Sequence, residues 1–175
     1  TMLTMREAHR LPLVAEVDLL VAGGGPAGVA AAFAAARRLG RTSRGDPRVL
    51  IVEQFNCLGG VATAGGHGHM CLFSAWADRT RVVGGIPWEM AQRVAKAGFG
   101  VCSTSAADFE IEGMKKVLEE MAEESGCGLL YHTFYCDTVV SRGRAVGAVI
   151  QNKGGRQWIR AKRIVDATGD GDAAA

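Results

Sequence analysis

The sequence lacks the cysteine spacing of a disulfide scaffold or a structural zinc site. It has five cysteines, an odd number, and no Cys-x-x-Cys pair. Small secreted domains and zinc ribbons depend on paired or closely spaced cysteines, so the pattern argues against both classes. It is typical of a reducing compartment, and we therefore expect a cytoplasmic protein without a metal centre.

Charge of one sign is also scarce. The 20 Lys and Arg residues against 18 Asp and Glu residues give a formal net charge of +2. Binding to nucleic acid relies on a marked excess of basic residues, which is missing here. The arginines of 37–48 have no aromatic residues among them, which is typical of a solvated helix end and loop. We predict no nucleic-acid partner.

Long uninterrupted hydrophobic runs are missing as well. The best imitation of a membrane span, VDLLVAGGGPAGVAAAFAAA at 17–36, has three consecutive glycines and a proline in its middle. A strand, a turn and a helix explain this stretch better than a span. No basic segment leads an apolar one in the manner of a secretory signal. We expect no membrane association.

Glycine, in contrast, is abundant and clustered, with 24 residues in 175. Clustered glycine marks backbone that turns sharply or approaches a ligand closely. The first cluster follows the apolar run VDLLVAG (17–23) and precedes PAGVAAAFAAARRLG, whose pattern predicts a helix from Pro26 to the residue before Gly40. RVLIVE then predicts a second strand that ends at Glu53.

Gly23, Gly25 and Gly28 thus form a G-x-G-x-x-G between a strand and a helix, the context in which this motif binds dinucleotides. In that motif the first glycine permits the tight turn, the second lets the backbone approach the pyrophosphate, and the third lets the helix pack close to the sheet. Glu53 would accept a hydrogen bond from the adenosine ribose, and its charge argues against the 2′-phosphate of NADP. The alternative is a purely structural glycine turn. The motif alone does not separate NAD from FAD.

The segment EQFNCLGGVATAGG, after the second strand, and IVDATGDGD, near residue 170, carry a more specific signal. Both resemble the FAD-dependent oxidoreductases with a glutathione-reductase-like fold that are related to fumarate reductase flavoproteins. The resemblance implies FAD as cofactor and flavin-dependent oxidoreductase activity on an unknown small molecule. The cofactor-binding positions that the motif and the resemblance together indicate are Gly23, Gly25, Pro26, Ala27, Gly28, Glu53, Gln54, Gly59, Gly60, Tyr135, Ala167, Thr168, Gly169 and Asp170.

The expected fold class is α/β, a Rossmann-like parallel sheet with flanking helices and a small antiparallel β-meander. We expect an N-terminal arm at 1–14 and an incomplete FAD-binding domain at 15–175, with an insertion near the flavin and substrate side at 67–107. The meander should span about 134–160 and precede a separate last strand, RIVDAT. The stretch SAADFEIEGMKKVLEEMAEESG predicts an amphipathic helix that starts at a Ser105 or Asp108 cap and ends at Gly126.

Three side chains are candidates for a catalytic role. His67 and His69 follow the flavin-contacting segment, and they could be metal ligands, acid–base groups near the flavin, or ordinary loop residues. The sequence offers few further ligands for a metal. Cys57 lies where disulfide-reductase flavoproteins carry redox cysteines, but no second cysteine follows within a few residues, which favours a small buried side chain.

The resemblance also implies that such a chain continues beyond the Ala-Thr-Gly motif into a substrate domain and a last Gly-Asp element. We therefore expect an N-terminal fragment that is inactive alone and that self-associates through the face left by the missing domain; the alternative is a complete minimal domain. Two other functions stay open. One is an NAD-dependent dehydrogenase domain, and the other is a nucleotide-binding scaffold without turnover.

Overall fold

The computed structural model describes residues 10–174 and places them in nine strands and three α-helices. The helices are α1 (Pro26–Leu39), α2 (Gly85–Lys96) and α3 (Ile111–Ser125), and a 3₁₀ turn spans Gly60–Ala62. The strands are β1 (Leu13–Ala22), β2 (Val49–Val52), β3 (His69–Cys71), β4 (Gly100–Cys102), β5 (Ala106–Phe109), β6 (Gly128–Leu130), β7 (Phe134–Ser141), β8 (Arg144–Asn152) and β9 (Gly155–Asp166). Residues 1–9 of the arm predicted for 1–14 lie outside the described residues, and β1 already begins at Leu13.

Six strands form the main sheet, in the order β6-β2-β1-β9-β8-β7. The first four are parallel to one another, whereas β8 and β7 are each antiparallel to the strand before them in this order. This arrangement confirms the predicted α/β class with a Rossmann-like sheet and a meander. The prediction that the meander ends at about residue 160 and that RIVDAT forms a separate strand is wrong. Residues 156–160 and the first four residues of RIVDAT lie in one strand, β9, which stays continuous because β1 starts early enough to pair with it from Trp158 to Asp166.

The segment 67–107 contributes most of a second, antiparallel sheet in the order β3-β5-β4. The central strand of this sheet, β5, occupies residues 106–109, so the predicted start of α3 at Ser105 or Asp108 is wrong. Residues 106–109 are extended because Ala107 and Phe109 pack into the core while their neighbours face outward. The helix begins only after Glu110 and has no side-chain cap, so Ser105 and Asp108 are not its cap. Its end at Gly126, in a left-handed conformation, is confirmed.

The core lies on both faces of the main sheet. On one face Val49 and Ile51 of β2 pack in the cluster that contains the apolar sides of the three helices. On the other face Leu50 and Val52 join residues of β1, β8 and β9 such as Ile159. All four residues of β2 are buried, as expected for a strand covered on both sides.

The stretch 17–36 is divided between β1, a turn and α1, as predicted. Pro26 is the first residue of α1, and the N–H of Gly40 closes the helix by donating to Ala36 O at 2.8 Å. Among the residues described, no helix has the length and apolarity to cross a membrane.

Asp18 connects three segments at the end of the sheet where β1 enters. Its carboxylate accepts a hydrogen bond from Arg48 Nε and lies 2.5 Å from Lys162 Nζ. Arg48 in turn donates from Nη1 to Leu39 O, the last residue of α1, at 3.1 Å. The hydrogen bonds from Lys162 and Arg48 lower the pKa of Asp18 below its ordinary 3.8.

We predict that Asp18→Asn destabilises the protein by about 1 kcal/mol at neutral pH, the scale of exposed ion pairs. Because the folded-state pKa is depressed, the contribution of Asp18 is fully present above pH 3.8 and is lost as pH falls through the lower folded value. Urea unfolding at a series of pH values measures this. The curves of wild type and variant should converge in acid, whereas Asp46→Asn, at an exposed loop carboxylate, should not change the profile. A gap that persists below the folded pKa would contradict the ion-pair explanation.

Candidate functional site

A cleft of about 380 Å³ opens where three neighbouring parallel strands end. β1, β2 and β9 finish level with one another, because Ala22 pairs with Val52 on one side and with Asp166 on the other. The residues that follow each strand therefore meet at one edge of the sheet, where open α/β sheets bind ligands. Of these, Gly23, Glu53 and Ala167 line the cleft.

Two glycines allow the backbone segments at this edge to touch. Gly23 has φ +96°, and a Cβ there would lie 2.4 Å from Ala167 O. A Cβ on Gly28 would lie 1.9 Å from Gly23 O. Both neighbours are backbone atoms that a side-chain movement cannot relieve. These glycines bring β1, the start of α1 and the end of β9 into direct contact.

Gly25 differs from the other two motif glycines. It precedes Pro26 at the N-terminus of α1, and a Cβ built on it meets nothing within 4 Å. It lines the cleft beside Gly60, whose own Cβ would lie 2.9 Å from the Gly25 Cα. The backbones of the two glycines are therefore in close contact, and they face the cleft without side chains at the positive end of the helix dipole. The first turn of α1 has no acidic side chain to neutralise that end.

Glu53 is buried, with 5% of its surface exposed, and both carboxylate oxygens accept backbone hydrogen bonds. Gly24 N donates to Oε2 at 2.6 Å and Phe55 N donates to Oε1 at 2.8 Å. The side chain thereby braces the glycine turn from the end of the neighbouring strand. Each carboxylate oxygen can accept a second hydrogen bond, so acceptor capacity remains toward the cleft.

The segment after β2 is tied to the glycine turn. Gly59 has φ +105°, and its N–H donates to Gly24 O at 2.8 Å. The Thr63 hydroxyl donates to Leu58 O at 2.5 Å and holds the following 3₁₀ turn. Cys57 is buried and free, and its thiol lies 3.7 Å from Thr63 Oγ1. These contacts give Cys57 the surroundings of a small packed side chain.

The stretch after β9 is a folded turn held by Asp166 and Thr168. The carboxylate of Asp166 accepts hydrogen bonds from the Thr168 hydroxyl at 2.7 Å and from the N–H groups of Ala173 and Ala174. Thr168 Oγ1 accepts from Gly171 N, at 3.1 Å. Burial acts to raise the pKa of Asp166, but these hydrogen bonds outweigh it and lower the pKa. Asp166 therefore stays ionised and fixes the turn.

The remaining wall comes from the start of β7. Thr133 N donates to Glu53 O at 3.0 Å, which joins this segment to the end of β2. The Tyr135 hydroxyl lies 2.7 Å from Thr138 Oγ1, and the Thr138 hydroxyl donates to Ala173 O. Burial raises the pKa of Tyr135, so the phenol is neutral. The β7 wall is thus connected both to β2 and to the turn after β9.

The cleft brings together most of the residues that the sequence indicates. Those that line it are Gly23, Gly25, Pro26, Ala27, Glu53, Gln54, Gly60, Tyr135, Ala167, Thr168, Gly169 and Asp170. Gly28 and Gly59 are not among the lining residues and instead shape the backbone behind them. Sequence reasoning missed the lining residues Val52, Phe55, Val61, Thr133, Phe134 and Asp172.

His67 and His69 do not line the cleft. The N–H of His67 donates to the carbonyl of Val61, a lining residue, at 3.0 Å. His69 Nδ1 lies 2.6 Å from Asp108 Oδ1 in the small sheet. Residues 10–174 contain no cluster of three or more side chains that could hold a metal ion.

Solved structures share this fold at low sequence identity. The chain superposes on THI4 of Thermovibrio ammonificans with a TM-score of 0.57 and 20% identity, covering 87% of this chain and 57% of that one. On the myxobacterial FAD-dependent halogenase CndH it superposes with a TM-score of 0.59 and 21% identity, covering 89% of this chain and 38% of that one. On a flavocytochrome c3 fumarate reductase the TM-score is 0.55 at 16% identity, and the match covers 88% of this chain and 34% of that one. The chain thus spans between about a third and three fifths of these proteins.

A comparison with curated protein sequences finds no match. The sequence pattern of one family, described as FAD dependent oxidoreductase, matches residues 18–175, nearly the whole chain. The match begins in β1 and includes every element that contributes to the cleft. The chain belongs to the FAD dependent oxidoreductase family, and its cofactor is FAD.

Proposed function

We propose that the cleft at the ends of β1, β2 and β9 holds FAD, and that the chain is the FAD-binding part of a flavin-dependent oxidoreductase whose substrate is a small molecule. The observation that carries the proposal is the bare backbone of Gly25 and Gly60, which lines the cleft at the start of α1, where a Cβ on Gly25 would meet only empty space. A diphosphate needs such a surface, because its oxygens are bound by backbone N–H groups at a helix N-terminus.

Contacts within the chain connect the residues at the cleft in a row that runs from the start of β7 to Gly60. Thr133, at the start of β7, contacts Glu53; Glu53 contacts Gly24; and the glycine turn contacts Gly60. This order matches the order of parts in FAD if the adenosine lies toward β7. Tyr135 and its neighbours then flank the adenine, Glu53 accepts hydrogen bonds from the ribose, and Gly25 and Gly60 lie against the pyrophosphate.

The beginning of α1 supplies the charge complementarity. The first N–H groups of a helix have no partner within the helix, and together with the dipole they favour an anion. Thr168, Gly169 and Asp170 close the other side of the cleft through the turn that Asp166 fixes. When bound, FAD supplies hydride or electron transfer. The residues of the cleft orient it and exclude water from its phosphate end.

The visible absorption spectrum of the purified chain, recorded after FAD has been added and the excess removed, tests the proposal. We expect a retained flavin spectrum, and ADP should compete for the same site. A folded protein that stays colourless would contradict the assignment of the cleft. Retention of NAD but not FAD would favour the dehydrogenase alternative.

Thr168 offers a sharper test of the turn. Thr168→Val removes the oxygen that accepts N–H groups from Gly171 and Asp172, and it removes the donor to Asp166. We predict that FAD affinity falls about tenfold while the free energy of unfolding changes by about 1 kcal/mol, the scale of exposed hydrogen bonds. Titration with FAD and amide hydrogen exchange at Gly171 measure the two effects.

Thr168→Ser is the matched control, because it keeps the hydroxyl and loses only a methyl group. It should bind FAD as the wild type does. Equal losses in both variants would mean that packing of the methyl group, rather than the hydrogen bonds of Oγ1, maintains this wall.

A further inference from the structure

The outer face of the small sheet carries a histidine–aspartate pair that lies outside the lining of the cleft. His69 of β3 is directly opposite Asp108 of β5, and Val101 of β4 is opposite Asp108 from the other side. These three residues therefore share one face, while Met70, Ala107 and Cys102 share the opposite, core-facing side. The pair is open to solvent, with 39% of the His69 side chain and 67% of the Asp108 side chain exposed.

The Asp108 carboxylate fixes the orientation of the imidazole. Its Oδ1 lies 2.6 Å from His69 Nδ1. An ionised carboxylate only accepts hydrogen bonds, so Nδ1 carries a proton in this contact, and in the neutral ring Nε2 is left with the lone pair. The contact therefore presets the tautomer in which Nε2 can accept a proton from another molecule.

A short series of contacts connects this pair to the cleft. Gly60 and Val61 line the cleft, and the chain folds back after them so that His67 N donates to Val61 O at 3.0 Å. The rings of His67 and His69 are edge to face, with centroids 6.2 Å apart and an interplanar angle of 89°. The His69–Asp108 pair is thus connected, through His67, to the Gly60–Val61 end of the cleft, which is the end away from Tyr135.

We propose that His69 is the proton acceptor for the substrate at the flavin end of the cleft, and that Asp108 is its positioning residue. The inference rests on the proposed function, because it requires FAD to lie with its adenine at β7, its pyrophosphate at Gly25 and Gly60, and its flavin ring beyond them. The substrate class is a small alcohol or amine, whose oxidation releases a proton from oxygen or nitrogen and a hydride from carbon.

The step is balanced without a further reactant. The C–H bond of the substrate would break, and its hydrogen would leave with both bonding electrons as a hydride, which FAD would accept when bound. The O–H or N–H bond of the substrate breaks as well. Its electron pair forms the second bond between carbon and oxygen or nitrogen, and its proton forms a bond with Nε2 of His69. Because the His69–Asp108 pair is exposed, water removes the proton from Nε2 afterwards. The carboxylate stabilises the imidazolium during the interval, in the manner of the aspartate in other acid–base dyads.

Nuclear magnetic resonance of the chain labelled with ¹⁵N-histidine tests both parts of the proposal. For the tautomer, we expect Nδ1 of His69 to be protonated in the wild type and in Asp108→Asn, whose amide oxygen still accepts. Asp108→Ala should lose this tautomer in favour of Nε2–H. Asp46→Ala, at an exposed loop position, should leave the spectrum unchanged. A neutral wild-type His69 ring with its proton on Nε2 instead of Nδ1 would overturn the proposal, with or without bound cofactor.

For the location, ADP and FAD are added separately. ADP should shift the ring signals of His132, which precedes the β7 wall, and leave those of His67 and His69 in place, whereas FAD should shift all three. Retention of FAD without any shift at His67 and His69 would overturn the inference and leave the proposed function intact. Failure to retain FAD would count against the proposed function, while the tautomer of His69 is still measured in the free chain.

Discussion

Gly28→Ala is expected to prevent the native strand–turn–helix unit from forming. The added methyl carbon would lie 1.9 Å from Gly23 O and 3.3 Å from the Ala167 Cβ, so it meets the backbone of one neighbour and the packed side chain of another. Relief would require α1 to move away from β1 and β9. We expect a loss of about 3 kcal/mol or more in the free energy of unfolding, at the upper end of overpacking effects. Such a loss is a large fraction of the stability of an ordinary domain.

Gly25→Ala is the matched comparison at the preceding glycine of the motif. The position has φ −66° and ψ −177°, which alanine adopts without strain, and its Cβ would meet no atom within 4 Å. Thermal unfolding should therefore occur at or slightly above the wild-type temperature, since alanine also restricts the unfolded chain. FAD affinity should nevertheless fall at least about tenfold, a cost of about 1.4 kcal/mol, because the methyl group enters the part of the cleft assigned to the pyrophosphate.

The two variants separate folding from binding. Urea unfolding should show a large loss of stability for Gly28→Ala. For Gly25→Ala, FAD fluorescence titration should show a loss of affinity while urea unfolding shows no loss of stability. Wild-type stability of Gly28→Ala would mean that the helix approaches the sheet less closely than the structure has it. Wild-type FAD affinity of Gly25→Ala would mean that the pyrophosphate does not lie against Gly25.

Local patterns were sufficient to predict the first half of the cleft. The order strand, glycine turn, helix and strand is encoded within residues 17–53, and Pro26 and Gly40 mark the helix ends. Since β1 and β2 are adjacent, the turn after one and Glu53 after the other meet without information from elsewhere in the chain. The resemblance added the residues after β9, whose proximity depends on a pairing of distant segments.

Errors arose where tertiary contacts decide between local alternatives. Residues 105–110 have helix-compatible side chains, but β3 and β4 offer backbone partners on both sides of β5, and the alternating burial of Ala107 and Phe109 favours the strand. The lining residues Phe55, Thr133 and Phe134 were missed for a related reason. Their part in the cleft follows from the contact between the start of β7 and the end of β2, which no periodicity reports.

Asp166 illustrates what a motif conceals. The Ala-Thr-Gly motif directs attention to residues 167–169, whereas the side chain before it accepts four of the hydrogen bonds that hold the turn. These bonds join residues up to eight positions apart, and a helical or strand period does not reveal them. The line of residues that contacts the cofactor is therefore easier to predict from sequence than the side chains that keep it in place.

Glu53→Gln is expected to weaken FAD binding by about 10- to 100-fold, which corresponds to the loss of a buried, charge-assisted hydrogen bond. The wild-type carboxylate accepts N–H groups on both oxygens, from Gly24 and from Phe55. A glutamine amide has only one acceptor oxygen, so its NH₂ group must face one of these donors. The turn loses a hydrogen bond, and the ribose loses the charged acceptor. Glu53→Arg should be more severe, because a larger side chain of opposite charge cannot occupy this buried position. Glu110→Gln, at an exposed residue without a side-chain cap bond, serves as the control.

A cycle with two ligands isolates the ribose contact from general damage to the turn. The affinities of ADP and 2′-deoxy-ADP are measured for the wild type and for Glu53→Gln. If Glu53 accepts a hydrogen bond from the 2′-hydroxyl, removal of that hydroxyl weakens binding to the wild type and has little further effect on the variant, since each change removes one partner of the same bond. Equal losses in both proteins would mean that Glu53 acts only on the glycine turn. The ribose would then have to be held by another acceptor at the edge of the cleft, and Asp170 and Asp172, which line it after β9, would be the next residues to replace.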